Sequence, residues 1–381
     1  MSTPVYYGAA DNYALPELKN ALTGVLVPVI EKNGGVTGKR ILLKPNLLFS
    51  RKANDPAAVH PAMITTVAEV LKEYGECEIT LMENPGTQRV KAIISHMDIG
   101  GKLEKMGITY QDFSDYRELV LPDNSLFRQL RIAREFENFD LTVDLAKAKT
   151  HAMMTLTLAV KNLFGLIDSA DRIAWHLAVG SDFGRFADLL LDLYLTVDPQ
   201  INIIDGIIGM EGNGPGSGTP VASGFIAASS DALALDASVA ERLGVKAEKL
   251  ILLERAAKRG LDFSFENCGT IPVLPPFKLP DPPGRLNAWG VTLPPFFKTQ
   301  LRNLIGSRPY LNAAECIKCG RCIEVCPPKS LKTGKNKLPE FDLDHCIRCY
   351  CCQEHCPKGA IVTKVQLLTA LLEKAVRIFK K

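Results

Sequence analysis

The 381-residue sequence lacks the charge excess that nucleic-acid binding needs. Lys and Arg number 45 and Asp and Glu number 42, so the formal net charge is only +3. Affinity gained by neutralising phosphates requires a larger or more clustered positive charge. No basic block and no low-complexity tract is present in the sequence. We therefore expect no nucleic acid among its partners.

Long apolar runs are also missing. The first residues, MSTPVYYGAADNYALPE, lack the charged-then-apolar order of a secretion signal. A transmembrane helix needs about 18 or more apolar residues with few charges. The best candidate, LTLAVKNLFGLI, is interrupted by Lys161 and Asn162. These absences predict a protein without a transmembrane segment, and we expect it in the cytoplasm.

Cysteine is scarce outside one short region. Nine of the eleven cysteines lie between residues 316 and 356, and the other two are Cys77 and Cys268. A disulfide framework spreads its cysteines along the chain to close loops, and it belongs to an oxidising compartment. The clustering therefore indicates metal binding.

The clustered cysteines form two copies of one motif. CIKCGRCIEVCP (316–327) and CIRCYCCQEHCP (346–357) both read C-x2-C-x2-C-x3-C-P. This is the spacing of bacterial ferredoxins, in which the fourth cysteine of each copy ligates the other cluster. Zinc sites also use C-x2-C pairs, but eight cysteines in two such copies favour two [4Fe–4S] clusters. The predicted ligand sets are Cys316, Cys319, Cys322 and Cys356 for the first cluster, and Cys346, Cys349, Cys352 and Cys326 for the second.

This segment resembles the two-cluster bacterial ferredoxin domain over residues 312–363, so we expect a small α+β ferredoxin-like domain there. It departs from that pattern at Tyr350, where such domains usually carry glycine. It also departs in charge, because eight Lys and Arg exceed six Asp and Glu. Lys318, Arg321 and Arg348 would raise the cluster potentials if they lie close to the iron. They would have little effect if they project into water.

Residues 1–275 alternate between strand-like and helix-like segments. RILLKPNLL (40–48), PAMITTVAEVLKEYG (61–75) and CEITLMEN (77–84) follow the order strand, helix, strand. This rhythm predicts an α/β domain with a mostly parallel or mixed sheet and helices on both faces. Further along, TLTLAVKNLFGLI (155–167) predicts a helix. DALALDASVAERLG (231–244) predicts another, which Asp231 caps.

Polar residues follow several of these strands, at the sheet edge where open α/β folds bind ligands. Lysines there would hold an anionic group, and a histidine would donate a proton. The predicted catalytic residues are His151, Lys147, Lys161 and Glu211. The predicted substrate-binding residues are Lys44, Asn46, Glu83, Lys149, Asn162, Asp205 and Asn213. The glycine-rich GNGPGSG does not match the G-x-G-x-x-G of dinucleotide folds, so no flavin or nicotinamide fingerprint is found.

Two further segments complete the predicted domain organisation. Paired prolines make residues 276–311 a stiff linker between the α/β domain and the ferredoxin domain. Residues 364–381 have the pattern of an amphipathic helix, which would pack on the α/β domain or lie on a membrane surface.

Several segments together resemble a known family. KAKTHAMMTLTLAVKNLFGLI (147–167) is similar to the signature segment of the domain of unknown function 362 family. LLKPNLL (42–48), HPAMITTV (60–67), IIDGIIGMEGNGP (203–215) and SSDALALDASVAERLG (229–244) are similar to its other segments in the same order. The resemblance implies an iron–sulfur protein with an α/β domain, acting as an oxidoreductase or as an electron-transfer component.

Three functions remain open at this point. The first is an iron–sulfur oxidoreductase whose two clusters relay single electrons to or from an anionic substrate or cofactor in the α/β domain. The second is a non-enzymatic carrier whose α/β domain docks redox partners. Either would need a redox partner protein, such as a ferredoxin or a reductase. The third is a metal- or sulfur-handling maturation factor that uses the spare thiols Cys77 and Cys351. The spacing predicts that Cys351 is a non-ligand beside the second cluster.

Overall fold

The computed structural model describes residues 2–48, 55–86, 88–121, 123, 125–180, 182–280 and 307–365. In the first 280 residues the strands are β1 (Thr3–Ala9), β2 (Arg40–Pro45), β3 (Glu78–Glu83), β4 (Thr109–Asp112), β5 (Tyr116–Val120), β6 (Gln129–Ala133), β7 (Leu141–His151), β8 (Thr155–Thr157), β9 (Ile201–Glu211), β10 (Thr219–Ser229) and β11 (Phe265–Gly269). The helices there are α1 (Leu15–Lys32), α2 (Pro61–Tyr74), α3 (Val90–His96), α4 (Gly100–Lys105), α5 (Ala159–Asn162), α6 (Ser169–Val179), α7 (Phe183–Val197), α8 (Ala232–Arg242) and α9 (Ile251–Lys258).

Nine of the described strands form one sheet, in the order β11-β1-β10-β9-β7-β2-β3-β4, with β8 paired to β7. Most neighbours are parallel, and only β10 and β8 run against the rest. Side chains alternate between the two faces of a strand. Accordingly, Ile41 and Leu43 enter the core beneath α1 and α2, whereas Leu42 enters the core beneath α7 and α8. The predicted mixed α/β sheet with helices on both faces is confirmed.

Helices α2 and α8 each begin after a residue whose side chain accepts a hydrogen bond from a backbone N–H of the first turn. The ring of His60 accepts a hydrogen bond from the Ala62 N–H (3.1 Å), and Pro61 occupies the first turn of α2. The Asp231 carboxylate accepts from the Ala234 N–H (2.8 Å) at the start of α8, as the sequence predicts.

The segment 155–167 differs from the single helix predicted for it. Residues 155–157 form β8, which pairs back onto β7, and the short α5 begins only at Ala159. The buried Asp236 carboxylate accepts from the Ala159 and Val160 N–H groups (2.8 and 3.2 Å) and so fixes that start. Because this cap comes from a distant helix, a local pattern does not reveal it. The following helix, α6, is capped by Asp168 (2.9 Å to Ala170 N–H) and is not anticipated from the sequence.

Residues 307–365 form a small α+β unit, which we call the cysteine module. Its elements are β12 (Ser307–Leu311), α10 (Arg321–Glu324), β13 (Leu331–Thr333), β14 (Pro339–Phe341), α11 (Cys351–Glu354) and β15 (Ile361–Val365). Strand β12 pairs with β15, and β13 pairs with β14, both antiparallel. Strand β12 lies in the segment predicted as linker, and residues 364–365 end β15 rather than begin a helix. The linker over 281–306 and the predicted helix from 366 onward lie outside the described residues.

Candidate functional site

Eight cysteines of the module line two separate cavities. The first cavity, of about 430 Å³, is lined by Cys316, Cys319, Cys322 and Cys356. The second, of about 270 Å³, is lined by Cys326, Cys346, Cys349 and Cys352. These are the two sets into which the motif spacing groups the cysteines. That each set holds an iron–sulfur cluster stays a prediction.

The spacing of the thiols bears on what they could hold. Four thiolates on one zinc ion lie within about 4 Å of each other, because each Zn–S bond is about 2.3 Å. Over the described ranges, no three His, Cys, Asp or Glu side chains converge closely enough to hold a single metal ion. A cubane carries one thiolate on each of four irons and so needs a wider set. The all-thiolate donor sets and their open arrangement therefore fit a polynuclear cluster better than zinc.

Each cysteine loop turns tightly through residues with left-handed backbone. Lys318 and Gly320 have φ of 59° and 78°, and Arg348 and Tyr350 at the same motif positions have φ of 57° and 58°. A non-glycine residue is strained there and needs a compensating contact. The buried Tyr350 hydroxyl supplies one, donating to the carbonyl oxygen of Ser307 at the start of β12 (3.0 Å). This contact explains the departure from glycine noted in the sequence.

The glycine-rich loop at 212–218 joins the α/β domain to the cysteine module. Gln353 Nε2 donates to the Asn213 carbonyl oxygen (2.7 Å), and Ser217 Oγ donates to that of Ile361 (3.0 Å). A Cβ atom on Gly216 would lie 2.8 Å from the Gln353 carbonyl oxygen, so only glycine permits this approach. The predicted substrate residue Asn213 therefore lies in a docking contact. The predicted catalytic residue Glu211 accepts from the Lys278 backbone N–H (2.9 Å).

The lysines predicted to hold substrate are neutralised inside the α/β domain. Lys44 is fully buried and donates to Glu83 Oε2 (2.6 Å) and to the Asn162 carbonyl oxygen (2.8 Å). Lys147 donates to Asp205 Oδ2 (2.8 Å) and to the Tyr13 hydroxyl (2.8 Å).

Lys149 is held in the same way, by Asn46 Oδ1 (2.7 Å) and the Ala57 carbonyl oxygen (2.8 Å). Asn46 and Asn162 are themselves joined by a hydrogen bond of 2.9 Å. A buried ammonium group needs partners of this kind to offset its lost hydration. The structure thus brings the strand-end residues together as a polar network, and their use in binding a substrate stays a prediction.

A larger cavity, of about 820 Å³, lies between the α/β domain and the cysteine module. We call it the interdomain cavity. Its lining from the α/β domain is Leu48, Pro85, Gly86, Phe164, Ser169, Ala170, Arg172, Ile173 and His176, and its lining from the module is Val325, Cys351, Glu354 and His355. A mainly apolar wall with a few polar groups is typical of small-molecule sites.

Several polar groups at this cavity have capacity left for a ligand. Arg172 donates to the Asn84 carbonyl oxygen (2.8 Å) and forms no ion pair with a described carboxylate. His176 is 4% exposed, and its Nδ1 has no hydrogen-bond partner in the described part of the chain. Lys161, behind the wall and 8% exposed, lies 4.6 Å from the centre of the Phe164 ring. No described group accepts a hydrogen bond from its ammonium nitrogen.

Burial and mutual charge set the protonation of these groups. Burial lowers the pKa of His176 to about 3, helped by the nearby Lys161, so the imidazole is neutral at physiological pH. Burial also lowers the pKa of Lys161, against the opposing influence of Glu354. For Glu354, burial would raise the pKa, but Lys161 and His151 outweigh it and hold the pKa below its usual range. The cavity therefore combines cationic groups with one carboxylate and neutral imidazoles.

The predicted catalytic residues His151 and Lys161 are not part of this cavity's lining, but both lie close enough to the lining residue Glu354 to lower its pKa. His151 Nδ1 accepts from the Met153 N–H (3.1 Å), while its Nε2 has no described partner. The lining residues Arg172, His176 and His355 are absent from the predicted set. Arg172 and His176 lie on the unpredicted helix α6. A position-by-position comparison of the two cysteine motifs would have singled out His355, which stands opposite Val325 of the first copy.

The two cysteine motifs and the two cavities that their thiols line are typical of iron–sulfur proteins. The family model "4Fe-4S dicluster domain" matches residues 308–357, and the chain is an iron–sulfur protein. The model "Domain of unknown function (DUF362)" matches residues 41–241. The chain belongs to this family, which confirms the resemblance drawn from the sequence.

Two individual proteins are similar to the chain. The "Thylakoid-associated protein sll1697" of Synechocystis sp. (strain ATCC 27184 / PCC 6803 / Kazusa) is 30% identical over 247 residues, covering 64% of this chain and 76% of that protein. The lactate racemase apoprotein of Thermoanaerobacterium thermosaccharolyticum aligns with a TM-score of 0.42 and 10% identity, over 66% of this chain and 58% of that structure. Across the described residues, no helix combines the length and apolarity required to cross a bilayer.

Proposed function

We propose that this protein is an oxidoreductase that relays single electrons through two [4Fe–4S] clusters to or from an anionic small molecule in the interdomain cavity. The first cluster would be held by Cys316, Cys319, Cys322 and Cys356, and the second by Cys346, Cys349, Cys352 and Cys326. One observation carries this proposal. Cys351 lines the interdomain cavity, and the adjacent residue in the chain, Cys352, lines the second cysteine cavity. The interdomain cavity and the second cysteine site are thus neighbours.

The charges around the cavity favour an anionic ligand. Arg172 supplies a positive charge at the lining, and the Lys161 amine, whose pKa burial lowers, lies close enough to influence the single carboxylate, Glu354. Guanidinium groups bind carboxylates and phosphates through paired hydrogen bonds. Arg172 keeps donors available for this because its described contact is with one backbone oxygen. The apolar wall formed by Leu48, Phe164 and neighbouring side chains would accommodate the ligand's carbon skeleton.

The imidazoles at the cavity could manage the protons that accompany reduction. A bound cluster supplies electrons one at a time and leaves proton transfer to the protein. His176 has a ring nitrogen without a hydrogen-bond partner among the described residues, in a neutral ring, so it can orient a ligand group through a hydrogen bond. His355 is fixed by the contact of its Nδ1 with the Cys351 carbonyl oxygen (3.0 Å). These two residues take the place that the sequence assigned to His151 alone.

A non-enzymatic carrier remains the second candidate, and one observation favours it. The strand-end lysines that first suggested a substrate site are each engaged by the chain itself, as for Lys44 with Glu83. In a carrier, the α/β domain would serve to dock partners, and the interdomain cavity would bind no ligand.

Anaerobic purification followed by ligand titration separates the two candidates. Two four-iron clusters require near eight iron and eight sulfide per chain. Short-chain and aromatic monocarboxylates are then titrated into the dithionite-reduced protein while its electron paramagnetic resonance (EPR) spectrum is recorded. We expect at least one carboxylate to perturb the second cluster's signal. We also expect Arg172→Ala to weaken that titration about tenfold or more.

Arg242→Ala, which removes an exposed arginine from α8, is the matched control and should leave the titration unchanged. A fully loaded protein whose spectrum responds to none of these anions, or responds equally in the Arg172 and Arg242 variants, would contradict the oxidoreductase proposal and favour the carrier.

We further propose a cytoplasmic location, because thiolate-ligated clusters and free cysteines persist in a reducing compartment. The relative named as thylakoid-associated suggests attachment to a membrane surface as the competing location. Cell fractionation at low and high salt would distinguish the two.

A further inference from the structure

The two cysteine cavities differ in how they meet the solvent. Cys319 of the first cavity is exposed, and its neighbour Ile317 is 55% exposed. In contrast, Cys346, Cys349 and Cys352 of the second cavity are all buried. A cluster in the first cavity would therefore be the one that an external protein can approach.

The rim of the first cavity is strongly basic. Its lining contains the cationic side chains Lys318, Arg321, Lys337 and Lys358 and no acidic residue. None of these four forms an ion pair with a carboxylate in the described part of the chain. The exposed acids Glu315 and Glu324 lie on the same module but outside this lining. We call the four cationic residues and Ile317, which lines the same cavity, the basic collar.

The second cavity has no such rim. Its lining contains no charged side chain. The corresponding loop arginine, Arg348, is buried and donates to the Ser307 carbonyl oxygen (3.0 Å), so it is committed to holding the module together. The positive charge is thus concentrated on the one cysteine site that faces outward.

We propose that the basic collar docks an acidic one-electron carrier protein, which exchanges electrons with a cluster in the first cavity. The inference rests on the proposed function for the presence of that cluster. In this step one electron leaves the reduced carrier and enters the first cluster, and no bond is made or broken. Electrons would then pass to the second cluster and the interdomain cavity.

The arrangement fits a protein partner better than a small reductant. Protein interfaces place an apolar centre inside a polar rim, and the collar sets the exposed Ile317 among four cations. Opposite charges across such an interface raise the association rate and fix the docking orientation. A small anion would gain little from an exposed isoleucine.

The test is a stopped-flow measurement of the rate at which a dithionite-reduced, strongly acidic bacterial ferredoxin reduces the cluster-loaded full chain. We expect the second-order rate constant to fall steeply with ionic strength, because salt screens the attraction. The triple variant K318E/K337E/K358E should lower the rate at low salt by about tenfold or more. Ile317→Ser should lower it by a smaller factor while leaving the salt dependence unchanged.

The matched control is K91E/K105E/K246E, which makes the same charge change at exposed lysines of the α/β domain. Equal rates for the two triple variants would overturn the docking proposal. So would a wild-type rate that shows no salt dependence, or binding to anionic phosphatidylglycerol vesicles that the collar variant loses while its ferredoxin rate stays normal. Iron and sulfide analysis keeps the proposals apart, because low cluster content contradicts the proposed function, whereas slow reduction of a fully loaded protein contradicts only the docking surface.

Discussion

The two cysteine motifs have the same spacing but face different surroundings. In the first copy, the residues between the cysteines are exposed or half-buried, except for the buried Val325, which also lines the interdomain cavity. In the second copy, Cys351, Glu354 and His355 face the α/β domain, where they line the interdomain cavity. Gln353 of this copy donates a hydrogen bond to the glycine-rich loop. The residue at the same position in the first copy is Ile323, whose side chain cannot donate one. Under the proposed function, the cysteine positions would determine the type of cluster, and the intervening residues would determine what each cluster contacts.

The largest expected effect comes from removing one ligand from each copy in turn. We expect Cys349→Ser to lose the second cluster, lower iron from near eight to near four per chain, and abolish the response to cavity ligands. Cys319→Ser should lose the first cluster and abolish reduction by the acidic carrier. In the dithionite-reduced variant, cavity ligands should still perturb the EPR signal of the second cluster. Iron analysis and EPR spin counting report both results. If both variants lose the same response, the two copies do not have separate functions.

The second-largest effect is on stability, and it distinguishes charged residues that stabilise the fold from those that line the interdomain cavity. Glu83→Ala leaves Lys44 buried without its carboxylate, so we expect the free energy of unfolding to fall by about 3–5 kcal/mol. The double variant Lys44→Met with Glu83→Leu removes both charges and should recover most of that loss. Anaerobic urea unfolding followed by circular dichroism measures the difference. Arg172→Ala is the comparison at the cavity, and a loss from it as large as that from Glu83→Ala would assign Arg172 a structural function.

A smaller effect concerns pH. The pKa of His176 is lowered to about 3 in the folded protein, against about 6.5 when unfolded. Below pH 6.5 the unfolded chain therefore binds the extra proton and the folded protein loses stability. From this residue alone we expect a loss of about 1 kcal/mol between pH 7 and pH 5.5. Anaerobic thermal midpoints of His176→Phe should depend less on pH than those of the wild type. The exposed His96→Asn variant serves as the control and should retain the wild-type dependence.

The smallest effect distinguishes Cys351 from the ligands around it. We expect the thiol of Cys351, which is buried next to Cys352, to donate to a ligand sulfur and so to stabilise the reduced, more negative cluster. Cys351→Ala should then lower the potential of the second cluster. The shift should be on the order of tens of millivolts, because one hydrogen bond contributes about 0.5–1.5 kcal/mol. Cys351→Ser retains a donor and should shift less, and Cys77→Ala, in the α/β core, should not shift it. Loss of iron from the Cys351→Ala variant would show instead that Cys351 is a ligand.

The sequence predicts the parts of this molecule that depend on local patterns. Apolar alternation and helical spacing reveal the α/β sheet, and the motif spacing groups the cysteines as the cavities do. The functions of the lysines depend on tertiary partners, so they are harder to anticipate. Lys44 and Lys161 both follow apolar stretches, but of these two only Lys44 forms an ion pair with a described carboxylate, because β3 places Glu83 beside it.

The interdomain cavity could not be predicted from local sequence patterns for the same reason. Its walls come from α6 and from the cysteine module, which are separated by more than a hundred residues of sequence. No pattern within either segment reveals that they meet. The late start of α5 has a similar origin, since the carboxylate that fixes it belongs to Asp236 on α8.

The close approach at Gly216 has a consequence for electron tunnelling. The probability that an electron crosses protein falls exponentially with the distance between donor and acceptor. The position of the cysteine module relative to the α/β domain therefore affects the transfer rate as much as the driving force does. With no side chain at Gly216, the glycine-rich loop packs directly against the backbone of Gln353. Under the proposed function, this position would help to fix the distance between the second cysteine site and a ligand in the cavity.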